Sequence, residues 1–115
     1  MTRAETLSYS VSIFIAGDYA KALELCRAYC DETGFCVTVT PTAYVYTGGQ
    51  ESGVIVGLIN YPRFPSEPRA IWHRADELGK RLCGSLGQDS YTIQAPDKTV
   101  WFSHRNPTSP NDGGE

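Results

Sequence analysis

An α+β fold of order β-α-β-β-α-β is what this sequence predicts, and three observations carry the prediction. Two stretches place apolar residues at helical spacing, and each lies between runs rich in β-branched and aromatic residues. One of those runs is interrupted by Pro41, while the next, Gly53 to Ile59, is apolar on both faces. The last run is divided by Ala95-Pro96-Asp97-Lys98, a tight-turn sequence. Together these describe a ferredoxin-like plait: an antiparallel sheet, two helices on one face, and a last β element split into a hairpin. Right-handed crossovers then put the first and third strands in the middle and the second at an edge.

From Leu7 to Ile15 apolar and polar residues alternate. Leu7, Tyr9, Val11, Ile13 and Ile15 share one face, and Ser8, Ser10 and Ser12 the other, as in a half-buried strand. Asp18 suits a helix N-cap. From Tyr19 to Thr33 the positions Tyr19, Ala22, Leu23, Cys26, Tyr29 and Cys30 form a helical stripe, and Gly34 suits its left-handed end. Phe35 to Tyr46 reads as a strand. Proline cannot donate to a ladder, so Pro41 assigns that strand to an edge. Thr47 to Ser52 reads as a polar turn. In the third strand Val54, Val56 and Leu58 face one way and Ile55 and Ile59 the other, the pattern of a central strand.

Asn60 to Pro68 is irregular and stiffened by three prolines. Ser66 is expected to cap the second helix, with Pro68 in its first turn. From Arg69 to Leu86 the stripe is Ile71, Trp72, Ala75, Leu78, Leu82, Cys83 and Leu86. Gly79 falls on it, where a missing side chain lets a helix approach a sheet. Leu23, Ile71, Trp72, Leu78 and Leu82 are the expected costly positions to truncate. Ser90 to Gln94 and Thr99 to His104 read as short strands. The domain is expected to occupy residues 1–104, with a tail at 105–115 that has no apolar anchor.

Composition narrows the function. The chain has 115 residues and 41% apolar content, enough for one core. A net charge of −3 argues against nucleic-acid binding. No apolar run approaches the ~20 residues of a membrane span. The first ten residues lack the apolar centre of a signal peptide. A cytoplasmic protein with reduced cysteines is the expectation.

The candidate chemistry is sparse. Cys26, Cys30, Cys36 and Cys83 lack the tight spacing of zinc knuckles, so packing is their expected role, with no metal and no cofactor. His73 and His104 have no partner that would complete a triad, and no catalytic residue is assigned. Thr47-Gly48-Gly49-Gln50 leads into a strand and lacks the lysine of a phosphate loop. Two surfaces are left. The helix-free sheet face should carry Thr38, Thr40, Thr42, Tyr44 and Tyr46 beside Ser8, Ser10 and Ser12. The loop Asn60-Tyr61-Pro62-Arg63-Phe64-Pro65 sets two aromatics and an arginine among prolines, the residue types of binding hot spots.

With CVTVTPTAYVYTGGQESGVIVGLINYPRFP, the Trp72 helix and the TVWFSH strand, residues 7–104 resemble small accessory proteins of tailed bacteriophages. Several such proteins, anti-CRISPR proteins among them, inhibit bacterial defence by occupying a protein surface. The resemblance implies a stoichiometric, non-catalytic inhibitor in the host bacterial cytoplasm whose partner is a host defence protein. Thr38, Thr40, Thr42, Tyr44, Tyr46, Asn60, Tyr61, Arg63 and Phe64 would be its binding residues. The alternative is a homodimeric plait that binds a small ligand or signalling nucleotide, or acts on it, at the open sheet face.

Overall fold

The computed structural model describes residues 1–105. Its order is β1 (Ser10–Ala16), α1 (Tyr19–Thr33), β2 (Thr38–Tyr46), β3 (Gly49–Ile59), α2 (Pro68–Ser85), β4 (Ser90–Gln94) and β5 (Thr99–Ser103). The strands form one sheet in the order β2-β3-β1-β4-β5, with every neighbouring pair antiparallel. This is the ferredoxin-like plait, widened by the hairpin strand β5. The strand with Pro41 lies at the edge, and the doubly apolar strand lies inside. Residues 106–115, most of the expected tail, fall outside the described residues.

Several boundaries differ from the sequence expectation. β1 begins at Ser10, and Leu7 is 86% exposed. Its partner β3 ends at Ile59, opposite Ser10, so earlier residues have no ladder to join. The β2–β3 ladder continues to Tyr46 and Gly49, which shortens the expected polar turn to Thr47-Gly48, with Gly48 at φ 89°. Glu67, not Ser66, occupies the N-cap of α2 and makes no side-chain cap bond. The Ser66 amide donates instead to Asn60 Oδ1 at 2.9 Å. α1 behaves as expected: Asp18 Oδ2 accepts from the Lys21 amide at 2.9 Å, and Gly34 ends the helix at φ 74°.

Both helices cover one sheet face. The core gathers Val11, Ile13, Ile15, Val54, Val56, Leu58, Tyr91 and Ile93 beneath Ala22, Cys26, Tyr29, Ile71, Ala75, Leu78 and Leu82. Leu23 and Trp72 are only half-buried, which removes them from the costliest positions. Trp72 instead lies against the sheet's last turn, with Lys98 Nζ 4.3 Å from its ring centroid. Gly79 has the expected role. A Cβ there would come within 2.6 Å of Tyr91 Cε2, so α2 rests directly on the Tyr91 ring.

Two buried phenols tie the helices and the hairpin together. The Tyr29 hydroxyl donates to Glu77 Oε1 at 2.7 Å and thereby joins α1 to α2. Burial pushes the Tyr29 phenol up from 10.0 to about 12, assisted by the Glu77 hydrogen bond. Burial does the same for Tyr91, assisted by the charge of Asp76. A raised phenol favours the folded state while it stays neutral, and that contribution is lost as pH climbs from 10 through 12. The thermal midpoint should hold level to about pH 10 and then drop, each ring costing about 2 kcal/mol by pH 12. Tyr29→Phe should flatten part of that drop. A midpoint unchanged to pH 12 would show that the rings are not held as described.

Candidate functional site

A sheet of five strands is wider than the two helices that cover it. Strands lie about 4.8 Å apart and a helix with its side chains is about 10 Å across. The overhanging strand is β5. Between its helix-side face and the C-terminal half of α2 a cavity of about 410 Å³ opens. It has the size of a small-molecule site, which runs from about 300 to 1,000 Å³.

The floor is aromatic. Tyr91 and Phe102 face each other across the β4–β5 ladder, with ring centroids 5.0 Å apart and planes 15° apart. Tyr91 is nearly inaccessible beneath Gly79, while Phe102 is half-exposed to the cavity. Cys83 and Gly84 of α2 form one wall. The Cys83 thiol donates to the Gln88 carbonyl at 3.0 Å and closes the turn into β4. Gly84 leaves room: a Cβ there would meet nothing within 4 Å.

Polar groups stand around this floor. Lys80, Gln88, Asp89, Ser103 and His104 complete the lining. Lys80 Nζ is held 3.2 Å from Asp76 Oδ2, one turn back on α2. The His104 amide donates to the Asp89 carbonyl at 2.9 Å, which fixes the end of β5 against the turn before β4. Arg105 Nε lies 3.6 Å from Asp89 Oδ2. The result is an apolar, ring-floored cleft with a cation, a carboxylate and an imidazole near its mouth. Such a cleft suits a flat heterocycle that carries a charged tail.

The nine residues expected to bind do not meet here. Thr38, Thr40, Thr42, Tyr44 and Tyr46 do share the helix-free face of β2. Tyr44 lies over Gly53, and its hydroxyl donates to the Val54 carbonyl at 2.6 Å. Asn60 is a brace: its amide donates to Thr6 Oγ1 and to the Leu7 carbonyl while Oδ1 accepts from Ser66. Tyr61 and Phe64 stack at 5.2 Å beyond the end of β3, with Arg63 in the turn between them. Tyr46, at the hairpin tip, is separated from that loop by the length of β2, about 25 Å or more.

The open face also differs from the serine, threonine and tyrosine surface expected. Register places Thr40, Ile55, Phe14, Thr92 and Trp101 in one row across all five strands. Phe14 and Trp101 were not among the expected face residues, although the alternation that assigned Ser10 and Ser12 outward assigns Phe14 outward as well. A shallower hollow of about 380 Å³ lies beside that row, at Ser10, Ser12, Gln94, Ala95 and Pro96. Of the residues around the ringed cavity, His104 and Cys83 had drawn attention in the sequence, neither of them as one of the nine binding residues. The Tyr91–Phe102 pair lies in two separate short strands, and its meeting depends on hairpin register.

Among the described residues no cluster of His, Cys, Asp and Glu is arranged to hold a metal ion. No helix of the described residues is long and apolar enough to cross a membrane.

No protein-family profile and no curated protein sequence matches the chain. Two solved structures match its fold. A phage SAM lyase in the apo state is 16% identical, with a TM-score of 0.67 over 85% of this chain and 90% of the other. A phage SAM lyase in complex with S-methyl-5'-thioadenosine is 14% identical, with a TM-score of 0.64 over 90% of this chain and 95% of the other. At such identity the fold is what is shared. The resemblance to small phage proteins therefore stands at the level of phage proteins of this fold. The narrower expectation of a non-catalytic, anti-CRISPR-like inhibitor is overturned, because both neighbours are enzymes by name. The expectation that the chain is not an enzyme is corrected with it.

Proposed function

We propose that this chain is a phage enzyme that cleaves S-adenosylmethionine, with the α2–β5 cavity holding the adenosyl group. The observation that carries the reading is the shared fold: each alignment spans at least 85% of this chain and 90% of a lyase. The cavity supports it by size and by its aromatic floor. The adenine would lie over Phe102, and Gln88 and Asp89 would receive the ribose hydroxyls. Lys80 and His104 would face the carboxylate of the amino-acid tail.

The chemistry asks little of the protein. Release of S-methyl-5'-thioadenosine breaks the bond between sulfur and the aminobutyryl γ-carbon, and sulfur keeps the electron pair. A lyase adds no water. The γ-carbon must then be satisfied from within the substrate, by its own carboxylate or by loss of a neighbouring proton. The sulfonium charge disappears as the bond breaks, so a poorly solvated cleft favours the transition state over the charged ground state. Orientation of the tail against the γ-carbon supplies the rest. A site of this kind needs no triad and no metal. The reading goes with a cytoplasmic location in the host bacterium, where the substrate is made and used.

The full chain incubated with S-adenosylmethionine should release S-methyl-5'-thioadenosine in proportion to protein, above the protein-free rate. Mass spectrometry of the companion four-carbon product separates a lactone from an alkene. S-Methyl-5'-thioadenosine at about 100 times its Kd should raise the thermal midpoint by roughly 10 °C. Absence of both product and shift would overturn the proposal.

A further inference from the structure

We infer that the helix-free sheet face is an interface between copies of this chain, with a second copy seated on the row Ile55, Phe14 and Trp101. Both helices pack on the other side of the sheet, so among the described residues no helix covers this face. Its composition sets it apart. The chain carries 10 basic and 13 acidic side chains. Of the strand residues that the ladders turn to this side, only Glu51 is charged, and it stands opposite Tyr44 near the hairpin tip, away from the row. Loss of charge with gain of tyrosine and tryptophan is the compositional mark of an interface centre, and Tyr44, Tyr46 and Trp101 all lie on this face.

The row itself supplies apolar area. Ile55 and Phe14 are direct partners in the β1–β3 ladder, and Trp101 follows on β5, past Thr92. All three are half-buried. None of them belongs to the helix-side core or packs against it, whereas Val39 and Phe102, of opposite parity on β2 and β5, do. Their apolar surface is therefore left over after folding, in one line across the sheet, and a contiguous apolar patch of this kind marks a contact surface. The five strands stand about 4.8 Å apart and each residue along them adds about 3.4 Å. With the β2–β3 hairpin the face offers on the order of 600 Å² per copy, the low end of what a stable interface buries.

Charge decides the occupant. A nucleic acid or a strongly charged protein would find nothing of opposite sign here to recognise. In a two-fold interface, by contrast, a residue on the axis meets its own copy, so a charge near the centre would face a like charge. A charge-free face avoids that penalty. With the axis along the row, Phe14 meets Phe14, and Ile55 and Trp101 likewise meet their own copies, apolar on apolar. The cavity between α2 and β5 opens on the helix side of the sheet. The inference is therefore independent of the lyase reading.

Sedimentation equilibrium of the full chain tests it. The mass should reach at least twice 12.6 kDa by about 200 µM, and it should not fall as salt rises from about 0.1 to 1 M, because no ion pair holds the copies together. Phe14→Glu should weaken the association at least about 100-fold, since it sets carboxylate against carboxylate in an apolar centre. Ser12→Glu, beside the shallow hollow at Ser10 and Pro96, leaves each chain room to fold and should weaken it at least about 10-fold. It carries the test alone if Phe14→Glu does not fold, with circular dichroism as the check. Lys21→Glu, exposed on α1, should leave the mass unchanged. A monomer throughout, an association that salt dissolves, or one as sensitive to Lys21→Glu as to the sheet-face charges would overturn the inference.

Discussion

Gly84→Leu should lower release of S-methyl-5'-thioadenosine at least about 100-fold while leaving the thermal midpoint unchanged or higher; that loss is about 2.7 kcal/mol of transition-state stabilisation. Gly84 lies within α2, outside the positive-φ set, and a Cβ there meets nothing within 4 Å. Replacing a helix-interior glycine with a good helix former gains about 0.5–1 kcal/mol, so folding does not suffer. The new side chain would take up cavity space beside Cys83 and Phe102, where the proposal seats the adenosyl group. Gly84→Ala should give a smaller loss of turnover, in step with its smaller volume. Ordinary damage to an enzyme lowers activity and stability together, and this variant separates them. Should Gly84→Leu turn over normally while Phe14→Glu, on the opposite sheet face, abolishes turnover in a folded protein, the site lies on the open face.

Much of the scaffold was legible in the residues. Pro41 marked an edge strand because a residue without an amide hydrogen cannot serve two neighbours. Val54, Ile55, Val56 and Leu58 marked an inner strand because both their faces meet other atoms. Gly79 marked a close helix–sheet approach. Legibility ended where position depends on pairing between distant strands. Phe14 and Trp101 join one row only through the registers of β1 with β4 and of β4 with β5. The cavity arises from the overhang of β5 beyond α2, a property of sheet width that no local pattern records. The proposed chemistry would be hidden for a different reason. A substrate that carries its own leaving group, and satisfies its own γ-carbon, leaves little catalytic signature on the protein that binds it. The two histidines without a triad partner were read as evidence against an enzyme, yet such an inventory is compatible with a reaction driven by orientation and desolvation.

Gly53 and Gly57 are two glycines of one strand, four residues apart and on one face, and they should respond differently to the same change. A Cβ at Gly53 would stand 2.5 Å from the Ile15 carbonyl oxygen and 2.8 Å from the Ala16 Cα, both backbone atoms of the neighbouring central strand. It would also press on the Tyr44 ring at 2.5 Å. Neither backbone atom can retreat without spreading β1 from β3, the pair at the middle of the sheet. At Gly57 the clash is with Thr38 Oγ1 at 2.6 Å, a side-chain atom on an edge strand that a rotamer change removes. Gly57→Ala should therefore cost less than about 1 kcal/mol, since the gain in strand propensity offsets the loss of the weak 3.5 Å contact from Thr38 to the Gly57 carbonyl. Gly53→Ala should cost about 3 kcal/mol, and Gly53→Val more, placing it among the most damaging single changes in the sheet. Denaturant unfolding of the two alanine variants, with equal slopes, reads the difference directly. Equal costs at both sites would mean that β1 and β3 are not packed as closely through Gly53 as the register of Ala16 with Gly53 requires.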